Sequence, residues 1–282
     1  MIENKYPIFG QGQVISKKAL DLLRDNPAEL INLMYLNQKD GIISGFDLIT
    51  DSENKKVIVT KGIAKCGGKI FWMNDDYNFD MPEIENHYVL KLKLYSDFEE
   101  RKFYIRNADF SLETLNNENI NTEKEETGIT NNFENQKNDK NKIEEIEITR
   151  FITRTGAELR NDYNNFIDLR RDFNLLELIN TKYSSKHKLG TLHPKILELF
   201  GKDASKKENL DIFDVNFYIN CLNRNVERDV IITYINLKLH LEQENYSNEE
   251  LYQHLVKILE NLGKDREFVE KKRIIPRKIT IE

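Results

Sequence analysis

GIISGFDLITDSENKKVIVTKGIAKCGGKIFW, Gly41–Trp72, sets glycines beside short apolar runs with a charged interlude between them. Two readings compete: a glycine loop that holds a phosphate, or a β-module whose glycines turn the chain. A phosphate cradle needs a strand, a glycine loop with free amides, and a helix whose N-terminus faces the anion. Here the glycines run on into more strand. Val57 and Val59 face one way while Ile58 and Thr60 face the other, the twofold period of a strand. Gly67 and Gly68 stand between IAKC and KIFW as a two-residue hairpin loop, where positive backbone dihedrals are needed and glycine supplies them without steric cost. Gly41, Gly45 and Gly62 are read with them as backbone turns of an antiparallel module.

Upstream, SKKALDLLRDNPAELINLMYLNQKDG reads as two helices. Ser16 is the N-cap of the first, and Asn26 with Pro27 makes a cap and first-turn pair for the second, which Gly41 ends. Leu30, Ile31, Leu33, Met34, Tyr35 and Leu36 cover most of that second helix, so it is expected to be buried or pressed against a partner. Ile31, Met34 and Tyr35 are the candidate interaction residues.

Downstream, Tyr88, Leu90, Leu92 and Leu94 alternate with Val89, Lys91, Lys93 and Tyr95, which predicts a half-buried strand. Phe103 with Ile105, and Ile146 with Ile148, predict further strands. Between them SLETLNNENINTEKEETGITNNFENQKNDKNKIEE is rich in Asn, Glu and Lys and poor in large apolar residues, so a low-complexity loop is expected at about 112–143. From about Asn161 the pattern is helical. NLLELINTKY and HPKILELF, the latter with Pro194 in its first turn, predict two short helices. Three stripes follow: Ile212, Val215, Ile219, Leu222; then Val230, Ile231, Tyr234, Leu237, Leu241; then Leu251, Leu255, Ile258, Leu262. Ser247 and Glu250 form a capping box before the third, and Phe213, Phe217, Tyr218 and Tyr234 are expected in the core of a helical bundle. The fold class is α+β: N-terminal helices and an antiparallel β-rich domain over 1–160, then an all-α domain over 161–282.

With 282 residues, 39% hydrophobic and 32% charged, the chain is long enough for two such units. No apolar run approaches a membrane span, and MIENKYPIFG has neither the basic flank nor the apolar stretch of a signal peptide. Cys66 and Cys221 lie far apart, which predicts two separate buried thiols and a reducing compartment. A formal charge of −6 argues against nucleic acid as the main partner. Arg150, Arg154, Arg160, Arg170 and Arg171 are interleaved with acids and read as a solvated face with ordinary ion pairs, beside a basic terminal KKRIIPRKITIE.

No catalytic signature competes with the β-module. Gly10 and Gly12 have Ile15 where a dinucleotide fingerprint needs its third glycine, and there is no GxxxxGK[ST]. Asp76, Asn78 and Asp80 have calcium-loop spacing, but Met81 occupies the glycine position and His87 that of the bidentate glutamate. His187 and His193 fit no standard zinc pattern, and Cys66 has no nucleophile motif around it. No enzyme activity, cofactor or metal is expected.

DGIISGFDL followed by VIVTKGIAKCGGKIFW resembles the β-module of phage tail, tail-fibre and baseplate proteins. FGQGQVISKKALDLLRDNP and TRTGAELRNDYNNFIDL are similar to a little-characterised family of prophage and contractile-tail regions, and the order of a β-rich half before a helical half resembles baseplate connectors of type VI secretion. The resemblance implies a non-enzymatic structural or adaptor component of a phage tail, baseplate or tail-like contractile injection system. It implies other tail or baseplate proteins as partners, a homo-oligomer without membrane contact, and a place in the bacterial cytoplasm during assembly and then in the virion or tail-like particle. A nucleic-acid-associated accessory protein is the alternative. The family offers no catalytic residues to carry over, so the five glycines are carried as backbone positions only.

Overall fold

The computed structural model describes residues 4–115, 142–170, 174–223 and 226–263. Helix α1 (Lys17–Met34) leads into strands β1 (Gly41–Gly45), β2 (Leu48–Asp51), β3 (Lys56–Val59), β4 (Gly62–Cys66), β5 (Lys69–Met73) and β6 (Tyr77–Asp80). Strands β7 (His87–Tyr95), β8 (Phe98–Glu100), β9 (Phe103–Ile105), β10 (Ala108–Thr114) and β11 (Lys142–Ile152) follow. Helices α2 (Pro194–Ala204), α3 (Ile212–Leu222), α4 (Arg228–Leu239) and α5 (Asn248–Asn261) close the described chain. The mixed α+β class expected from the sequence is the one observed.

Neighbouring strands pair antiparallel, in the orders β1-β4-β5, β10-β7-β11 and β2-β3-β6, with β8-β9 as a separate ribbon. Cys66 pairs with Lys69, so Gly67 and Gly68 form the expected two-residue hairpin loop, both at positive φ. Gly45 and Gly62 face each other across β1 and β4 for a different reason. A Cβ on Gly45 would lie 2.1 Å from the Lys61 carbonyl oxygen, and one on Gly62 would meet Phe46 at 2.7 Å, so only glycine lets these backbones approach. Gly41 likewise sits against the backbone of residues 182–184.

Strand β7 runs down the middle of its sheet. Leu90, Leu92 and Leu94 are buried, while Lys91 and Lys93 on the opposite face meet Glu113 of β10 at 2.8 and 2.9 Å, and Lys91 also meets Glu145 of β11 at 3.0 Å. Val89 and Tyr95 are buried as well, which alternation alone did not indicate. The ends of the stretch read as a loop at about 112–143 belong to β10 and β11. Residues 116–141, where most of that reading falls, lie outside the described residues.

Four helical readings are corrected. The two N-terminal helices are one, α1, with Pro27 inside it; Asn26 caps nothing and donates its side-chain amide to the Lys5 carbonyl at 2.9 Å. Pro27 removes one backbone donor, yet the hydrogen bonds on either side carry the helix through. NLLELINTKY is not helical. Leu175, Glu177 and Tyr183 instead bridge to Arg160, Arg150 and Ile42, an extended path that puts Leu176, Leu178, Ile179 and Tyr183 in the core cluster. On α3 the stripe is rotated: Asp214, Phe217 and Cys221 are buried, while Ile212, Phe213, Ile219 and Leu222 are exposed. On α4, Ile231 and Tyr234 are buried but Val230, Leu237 and Leu241 are not. Phe213 is therefore no core residue, and Tyr218 is only partly buried.

The remaining helix signals hold. Pro194 opens α2, whose N-cap is His193. Ser247 and Glu250 form both arms of the capping box on α5, at 3.1 and 2.7 Å, and Leu251, Leu255, Ile258 and Leu262 are buried. Phe217 stacks on Tyr234 with centroids 3.9 Å apart. Buried side chains of the sheets and of α2 to α5 belong to one contiguous cluster that includes Cys66 and Cys221, two buried free thiols.

Of the arginines, Arg150 pairs with Glu147 at 2.8 Å as an ordinary ion pair, whereas Arg160 is mostly covered and meets both Asp162 at 3.0 Å and the buried Asp168 at 3.4 Å, so it is not on the solvated face expected. Glu177, bridged to Arg150 through the backbone, is different. Burial pushes its carboxyl up to about 7, against the pull of the Arg150 guanidinium and with the push of Glu249 and Glu147. A carboxyl that holds its proton longer folded than unfolded stabilises fully below the ordinary carboxylate range and loses that contribution as pH rises through about 7. Glu177→Gln is therefore expected to match the parent near about pH 4 and to exceed it by about 1–2 kcal/mol near about pH 8, the full shift being discounted for a half-buried side chain. Urea titrations at the two pH values measure this. An equal effect at both would remove the carboxyl as its cause.

Candidate functional site

Helix α1 is amphipathic and has no buried residue. Leu20, Leu23, Pro27, Leu30 and Met34 recur at alternating steps of three and four, the a and d positions of a heptad, so they line one stripe. Leu30 is 61% exposed and Met34 67%. Ile31, beside the stripe, is 40% exposed, and Tyr35 is half-buried at the C-cap. In the preceding segment Tyr6, Ile8, Val14 and Ile15 are exposed as well. Scattered exposed apolar residues are ordinary, but a continuous apolar stripe of this kind marks a surface meant for contact.

The helix is fastened at one end only. Ser16 caps its N-terminus by accepting from the Ala19 amide at 3.2 Å, a bond within the arm itself. At the C-terminal end Lys65 of β4 is 8% exposed, and its ammonium donates to the carbonyls of Tyr35 at 2.6 Å and Gln38 at 2.7 Å. A cation placed against the carbonyls at a helix C-terminus satisfies acceptors that lack an intrahelical donor and complements the helix dipole. Residues 184 and 185 complete the root: Ser184 Oγ donates to the Lys39 carbonyl at 2.6 Å, and the Lys39 amide donates to the Ser185 carbonyl at 2.7 Å. An apolar helix therefore stands on a polar, well-satisfied base.

Beside the base lies the only group of potential metal-ligating atoms found among the described residues: Asp40, Cys66 and Glu144 each bring one within 4.8 Å of the others. Its hydrogen bonding does not suit a cation. The Cys66 thiol donates to one Glu144 oxygen at 3.3 Å while Lys182 holds the other at 3.0 Å. Burial first, then that bond to Glu144, pushes the thiol up to about 12.

A polar cleft of about 450 Å³ opens between β1 and the start of α2. His193 Nδ1 accepts from the Lys195 amide at 3.0 Å, so its Nε2 carries the proton and donates to the Tyr183 hydroxyl at 3.4 Å, which in turn donates to the Gly45 carbonyl at 3.1 Å. This chain commits both rings to structure. His187 serves a separate loop, accepting from the Leu189 amide, and Asp76 accepts from the Lys61 amide while Asn78 and Asp80 lie in β6.

No family model matches the sequence, and no curated protein matches it. Among solved structures, the fold is similar to a chain of a type VI secretion system TssK-TssF-TssG baseplate subcomplex, at 10% identity over 92% of this chain and 100% of that one. The TM-score is 0.42, a loose likeness of arrangement that carries no functional weight by itself.

Sequence reasoning singled out Ile31, Met34 and Tyr35, and the structure puts all three on the arm or its cap. It missed Lys65, Ser184 and Ser185, which hold the root. The one local sign was a lysine inside the apolar run GIAKC, where a charge needs a partner on burial.

Proposed function

We propose that this chain is a non-enzymatic structural or adaptor component of a phage tail, baseplate or tail-like contractile injection system, and that it works by protein contacts. The carrying observation is α1: a helix with a heptad stripe, no buried residue, and a root fixed by Lys65. A helix of 18 residues that meets its own chain at β5 yet buries none of its residues there gains little from intrinsic propensity, and an apolar seam is stabilised by the partner that covers it. The sequence resemblance of the β-module supplies the machine. The partners are other tail or baseplate proteins and further copies of this chain, met in the bacterial cytoplasm during assembly and kept in the finished particle.

Purified tail-like particles test the reading. The chain is expected in them by mass spectrometry at a fixed ratio to sheath and tube proteins. Its absence from intact particles, together with salt-sensitive binding to DNA or RNA by the free protein, would put the nucleic-acid reading in its place.

A further inference from the structure

The helical half carries a second unpartnered apolar surface. On α3, Phe213, Asn216, Phe217 and Asn220 fall at i, i+3, i+4 and i+7; on α4, Val230, Thr233, Tyr234 and Leu237 do the same. These two faces enclose an open groove of about 530 Å³. Lys238 near the end of α4 meets Asp211 at the start of α3 at 2.6 Å, so the helices run antiparallel and the groove lies along both. Two helical faces with an apolar floor between them are a shape into which a third helix packs, through anchors three and four residues apart.

We infer that this groove receives α1 of a second copy of the same chain. The inference rests on the reading of α1 as a docking arm and names what it docks on. Three observations favour this occupant. The groove selects a helix with a seam of threes and fours, and α1 offers one through Leu20, Leu23 and Pro27. The groove has one strongly exposed charge on its lining, Asp229 at the α4 N-terminal end, and the free end of α1 carries the exposed Lys17 and Lys18. In the monomer the arm is rooted on β4 through Lys65 and the groove stands open, so both surfaces are available to a neighbouring copy. Arm into groove is a head-to-tail contact, which leaves one free arm and one free groove and closes into a ring or extends the assembly.

Two single-cysteine additions test this in the full-length chain, since the native thiols are buried and silent. Leu23→Cys and Val230→Cys proteins mixed with oxidised glutathione are expected to give a disulfide-linked dimer that neither gives alone. Asp229→Lys is expected to reduce its yield several-fold, and K17E/K18E in the arm partner to restore it. A dimer from Leu23→Cys alone, as in arm-to-arm pairing, or no mixed dimer across a concentration series, overturns the inference. If the mixed dimer is missing while I31D/M34D still releases a co-expressed baseplate protein, the arm reading stands and only the second copy falls. If neither occurs, both fall.

Discussion

Replacing Ile31 and Met34 together by aspartate is expected to leave the chain folded and to weaken its association by about 100-fold or more, as two carboxylates would have to be desolvated at the contact. The spacing of three residues puts both charges on one side of α1, next to Leu30 and Leu23. Nothing in the helix is buried in the monomer, so the far-ultraviolet dichroism and melting temperature should hold. Light scattering and co-purification then read the loss. Global unfolding of this variant would mean that α1 belongs to a core, and a folded variant with unchanged mass and partner binding would remove the arm from the assembly.

Arg228→Ala is expected to lower stability by about 3–5 kcal/mol, or roughly 10 °C in melting temperature. Arg228 is 1% exposed. It donates to the Gly190 carbonyl at 3.4 Å, to the Asn248 side chain at 2.7 Å, and to the Tyr246 carbonyl. One fork thus ties the loop before α2 to the start of α5. Burial pulls its pKa down to about 10, with Asp229 opposing, so it stays charged at neutral pH. Truncation takes the donor from two buried carbonyls and from the half-buried Asn248 side chain. Arg228→Lys keeps the charge without the fork and should fall in between. A melting temperature within about 2 °C of the parent for the alanine variant would contradict this account of the joint.

What the sequence disclosed was local. The hairpin at Gly67 and Gly68, the alternation through β7 and the capping box on α5 each depend on residues within a few positions of one another, so pattern and structure agree. NLLELINTKY failed because its apolar residues at 175, 176, 178 and 179 satisfy a helical period, while its real hydrogen-bond partners, at 42, 150 and 160, are distant in sequence. Helix α3 is apolar on more than one side, so its sequence could not say whether Ile212 or Phe217 meets the core; packing against α2 decided for Phe217. The arm was half legible. An over-apolar helix was plain from the residues, but the root was not, because Lys65 reaches carbonyls about 30 positions away.

Hydrogen–deuterium exchange over residues 17–34 tests the central claim most directly, comparing the dilute monomeric chain with the chain in purified particles. The account predicts fast exchange in the monomer, since α1 buries no residue, and slowing by at least about tenfold on assembly, the equivalent of about 1.4 kcal/mol. Exchange over α1 that is already slow in the monomer, or that stays fast within the intact particle, would contradict it.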